Sequence, residues 1–85
     1  MSNRRWDHPV MIICRKTGQL STIASTAEAL EVLTNSWPIA DGKAFMAALL
    51  ICSDVEAGIR EPDEARVSFI AAAKEAGVPF DTMGG

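Results

Sequence analysis

Eighty-five residues make one domain, with no room for a second core. A composition of 48% hydrophobic and 22% charged residues is that of a globular chain and argues against disorder. A net charge of −3 and a pI near 4.9 weigh against a nucleic-acid binder, which normally carries a basic face and often a high pI.

The charge is unevenly spread. Residues 1–20 hold Arg4, Arg5, Arg15 and Lys16 against Asp7, a net +3, whereas residues 21–85 hold four basic and ten acidic side chains, a net −6. Residues 1–8 read as a flexible N-terminal arm. The five apolar residues after Pro9 are too short a run for a signal peptide, so a cytoplasmic protein is expected. Cys14 and Cys52 both lie inside apolar runs, the setting of free buried thiols rather than of a disulfide framework.

Val10 to Cys14 is short and rich in β-branched residues, which predicts a strand. Thr17-Gly18 signals a turn, and Leu20 to Ala24 alternates as a returning strand. A two-residue loop would set Ile12 opposite Ile23; register depends on that loop length. Ser25-Thr26-Ala27-Glu28 matches the S-x-x-E capping box and predicts helix 1, with Ala27, Leu30, Leu33 and Trp37 on one face. The helix must stop by Trp37, because Pro38 disfavours helical backbone in the residue before it.

Asp41 is a good N-cap for helix 2, expected from Gly42 to about Ala57 with Gly58 as its stop. Its stretch from Ala44 to Cys52 is apolar without interruption, which predicts a buried central helix, far too short to cross a bilayer. Helix 3 opens on Pro62 with Asp63 and Glu64 in its first turn, and ends at Gly77. Ala65, Phe69, Ala72, Ala73 and Ala76 share one face, and so many alanines imply close approach to helix 2. Val78-Pro79-Phe80 is expected to dock against the hairpin, leaving room for a short third strand, and residues 81–85 to fray. The expected fold is α+β: a β-hairpin packed on three helices in the order ββααα, within a single domain over residues 9–80.

Trp37-Pro38, Gly42, Ala48 with Cys52, Gly58, Ala65-Arg66, Phe69-Ile70, Ala72-Ala73 and Ala76, together with Pro9-Val10, resemble a family catalogued as domain of unknown function 982. The resemblance covers roughly residues 9 to 78 and implies a small alphaproteobacterial protein without assigned activity. It brings no catalytic residues with it.

The residues themselves supply no catalytic constellation either. His8, Cys14 and Cys52 are the only soft-metal ligands, and no pair has zinc-site spacing, so no metal or cofactor is expected. Neither a nucleophile elbow nor a phosphate-cradling glycine loop is present, and Asp54 and Glu56 point to different sides of a helix. Arg66 flanks the alanine face of helix 3, where it could lay its stem on apolar surface or contact a partner. Trp6, beside Arg4 and Arg5, is the candidate for an exposed aromatic contact.

The strongest signal is a surplus of apolar surface. Val10, Ile12 and Cys14 face one side of strand 1, Met11 and Ile13 the other, and both sides are apolar. Small monomers rarely expose large apolar patches. The expectation is therefore a non-catalytic interaction or regulatory module, a homodimer or a protein-partner complex, with Met11, Ile13, Trp6 and Arg66 as interface residues. Two alternatives stand beside it: a nucleic-acid-associated factor using Arg4, Arg5, Trp6, Arg15 and Lys16, and a small ligand binder or enzyme with a polar-lined pocket. A competing account of the outer face is that Val78 to Met83, or the N-terminal arm, folds over it.

Overall fold

The computed structural model describes residues 5–13, 18–35, 37 and 41–82. Strand β1 (Arg5–Ile13) and β2 (Leu20–Ser25) precede helices α1 (Thr26–Asn35), α2 (Lys43–Glu56) and α3 (Pro62–Ala76), and β3 (Phe80–Thr82) closes the order. The fold is α+β: an antiparallel sheet of order β2-β1-β3 with three helices. The expected short third strand is present and pairs with β1 through Ile12 opposite Phe80.

β1 begins at Arg5, inside the stretch expected as an arm. The register also differs from that of a two-residue loop. Val10, not Ile12, lies opposite Ile23, and Ile12 faces Ser21, because the hairpin is centred between positions 16 and 17, one position before Thr17-Gly18. Nearer the N-terminus β1 takes five steps, Arg5 to Val10, against two on β2, Ser25 to Ile23. That irregularity holds Pro9, which has no N–H to give the ladder and belongs at such breaks. The carbonyl of His8 just before it accepts a hydrogen bond from Arg66 Nε at 2.7 Å, so α3 ties down the β1 backbone there.

Helix α1 starts as its capping box requires. The Glu28 amide donates to Ser25 Oγ at 3.2 Å, and Glu28 Oε1 accepts from the Ala24 amide at 2.7 Å, one residue before the amide a box normally uses. Thr26, Ala29 and Leu33 form its buried face, while Ala27 is exposed and Leu30 half-buried, so the face is rotated from the expected one. Trp37 is buried as expected; residues 38–40 of its corner lie outside the described residues.

The N-cap of α2 is Gly42 rather than Asp41, and it has no side chain with which to cap the helix. The carboxylate of Glu75, on α3, does so instead, accepting from the amides of Ala44 at 3.0 Å and Phe45 at 3.2 Å. A negative charge at a helix N-terminus also meets the positive end of the macrodipole. α3 carries its own capping box, Glu61 with Glu64, and ends on Gly77 at φ 70°, a left-handed backbone that glycine adopts without a Cβ clash.

Ala48 on α2 and Ala65, Ala72 and Ala73 on α3 are fully buried, the small side chains that let helices approach closely. Phe69 anchors the core, fully buried between Trp6, with ring centroids 5.8 Å apart, and Trp37, at 5.4 Å. Both pairs are tilted, within the geometry aromatic quadrupoles favour. Trp6 is thus a core residue, only 5% exposed, rather than an exposed contact. Its Nε1 donates to the Oγ1 of Thr26, itself wholly buried, at 3.1 Å. α2 buries Phe45, Ala48, Cys52 and Val55 against its neighbours but leaves Met46 and Leu50 more than half exposed. Its apolar circumference outruns what α1 and α3 can cover.

Candidate functional site

Alternation along β1 separates two faces. Val10 and Ile12 are buried under the helices, whereas Met11 is half-buried and Ile13 is 42% exposed on the outer side. Ile13 lies directly opposite Leu20, which is 60% exposed, and Met11 lies between Thr22 on β2 and Asp81 on β3. Together with Pro79 and Phe80, the residues Met11, Ile13, Leu20 and Asp81 line a shallow depression of about 110 Å³. β3 runs beside β1 rather than across this face. The Ile13 amide donates to the Pro79 carbonyl at 3.0 Å and Phe80 packs towards the core, so described residues after Val78 extend the outer face instead of covering it.

Of the four interface residues expected from sequence, Met11 and Ile13 therefore come together, and Leu20 joins them unannounced. Only the cross-strand register reveals Leu20, because it needs the length of the turn. Trp6 belongs to the core, and Arg66, half-buried on α3, spends its Nε on the His8 carbonyl. Arg4, Cys14, Arg15 and Lys16 lie outside the described residues, as does the side chain of Arg5.

Catalytic and metal-binding chemistry find little to work with among the described residues. No group of three or more His, Cys, Asp or Glu could hold a metal ion there. Cys52 is fully buried, and burial, helped by the Glu56 charge, pushes its thiol up to about 12, so it stays protonated and unreactive. A polar cluster among the described residues is an ion-pair triad at the α2–α3 turn. Arg60 Nε meets Asp54 Oδ2 at 3.1 Å and its guanidinium meets Glu64 Oε1 at 2.9 Å. The backbone amide of Glu61, and after it Arg60, hold Glu64 below the ordinary carboxylate range. Such a cluster fastens a turn.

A second exposed apolar area lies on the helices. Ile51 and Val67 border an open groove of about 330 Å³ between α2 and α3, completed by Asp63, Glu64 and Ser68. Among the described residues no helix is long and apolar enough to cross a membrane. Nothing among curated proteins or solved structures matches the chain. Residues 8–80, by contrast, match the DUF982 family, described as a protein of unknown function, and the chain belongs to that family.

Proposed function

We propose that the chain is a cytoplasmic, non-catalytic interaction module that works as a homodimer through the outer face of its sheet. One observation carries the reading: Ile13 and Leu20 stand opposite each other, 42% and 60% exposed, at the hairpin end of an outer face that they share with Met11 and that β3 borders with Asp81 and leaves open. A two-fold axis through that face would place the same patch on both sides, as isologous interfaces require, with the two sheets about 10 Å apart. The buried free thiol of Cys52 suits a reducing compartment.

Three strands about 4.8 Å apart, of nine, six and three residues, make a face of only a few hundred Å². An interface that small falls at the low end of the range for specific complexes, below about 1,200 Å² in total, so association is expected in the micromolar range. Sedimentation velocity on the full chain tests the reading. The parent protein should shift from monomer to dimer with concentration, and Met11→Thr with Ile13→Thr should abolish the shift while leaving the circular dichroism spectrum unchanged. A parent that stays monomeric at millimolar concentration would end the proposal.

A further inference from the structure

A different surface, independent of the sheet, carries its own proposal. On α3, beside the α2–α3 groove, Val67 is 63% exposed, whereas Met46 and Leu50 of α2, also exposed, point away from the helix's buried Ala48–Cys52 face. Half-buried Ile51 of α2 lines the groove with Val67. At the same end of the helices Ile59 is 72% exposed in the turn, its amide held by the Asp54 carbonyl at 2.8 Å.

Towards the α2–α3 turn the groove runs into an acidic segment. Residues 54–64 hold Asp54, Glu56, Glu61, Asp63 and Glu64 against Arg60, a net −4 in a chain whose total is −3. Arg60 is already committed to Asp54 and Glu64. Asp63 and Glu64 themselves form part of the groove wall beside Ile51 and Val67.

The walls of the groove are two helices, whose backbone groups are already bonded, so an occupant must be held by side-chain packing rather than by adding a strand. An apolar stripe at helical spacing matches such a groove, and cations flanking that stripe match the acidic segment. We propose that the α2–α3 groove docks a basic amphipathic helix of a protein partner. Its apolar stripe packs on Ile51 and Val67, and its Lys or Arg side chains reach Asp63.

The test uses the full chain and a synthetic helix of about 14 residues built from Leu and Lys, with Leu at i, i+3, i+4 and i+7. Methyl chemical shifts are followed by NMR during titration, with a peptide of the same composition in non-periodic order as control. The expected result is saturable shifts at Ile51 and Val67, with Ile13 and Leu20 unmoved. Val67→Gln, at a solvent-exposed site, should weaken binding at least tenfold, and Asp63→Lys at least threefold. Equal binding of the control peptide, shifts spread over the sheet, or no saturation would overturn the proposal. So would groove shifts on dilution of the chain alone, since these would make a second copy the occupant.

Discussion

Replacing Thr26 by Val isolates the contact that brings the N-terminal half of β1 into the core. Thr26 is the first residue of α1 and is fully buried, and Val keeps its β-branched shape. The substitution removes the acceptor of a buried hydrogen bond and leaves Trp6 Nε1 without a partner at a residue only 5% exposed. An orphaned buried donor costs about 1–3 kcal/mol, whereas the few tenths separating Thr and Val helix propensities are small beside it. A loss near 2 kcal/mol follows, and at about 4–8 °C per kcal/mol for a domain this size the melting temperature should fall by roughly 8–16 °C. Trp6→Phe removes the donor. On that background Thr26→Val should cost less than about 1 kcal/mol, since both partners are then apolar. Urea unfolding followed by circular dichroism on the four proteins gives the coupling energy. If Thr26→Val costs the same in both backgrounds, the bond is not what holds Trp6 in place.

Glu75→Ala removes a cap supplied from another helix, and a loss of about 1 kcal/mol in urea denaturation is expected, with Glu75→Gln intermediate. Arg66→Met keeps the apolar stem but loses the bond to the His8 carbonyl; it should cost about 1–2 kcal/mol and speed amide exchange in β1 around Val10. Cys52 should resist iodoacetamide in the native protein and react on unfolding, as read by peptide mass spectrometry. The same thiol gives a pH signature. Its folded pKa, about 12, lies above the ordinary 9.0, so the folded state keeps a proton the unfolded state has lost. Stability from this group is therefore whole below pH 9.0 and declines as pH rises from there towards 12, a decline Cys52→Ala should remove.

Signals of short range were legible. The S-x-x-E box, Pro62 and Gly77 punctuate the helices where the structure has them, and alternation along Val10 to Ile13 separates the buried from the outer side chains. Contacts between distant positions were not. Trp6 looks like part of a basic arm until Thr26 and Phe69 are brought against it, and Glu75 caps a helix whose first residues lie 31 positions earlier. The register that makes Leu20 the partner of Ile13 hangs on the turn, which residue types alone do not measure. An unbroken apolar run in α2 suggested burial all round. Three short helices cannot surround one another, however, and Met46 and Leu50 are left at the surface.

Sedimentation velocity from low micromolar to near-millimolar concentration, on the parent chain and on Met11→Thr with Ile13→Thr, tests the sheet-face dimer most directly. A concentration-dependent rise to twice the chain mass of 9.1 kDa in the parent alone is the expected result. A monomer at every concentration, or a dimer that survives both substitutions, would contradict it.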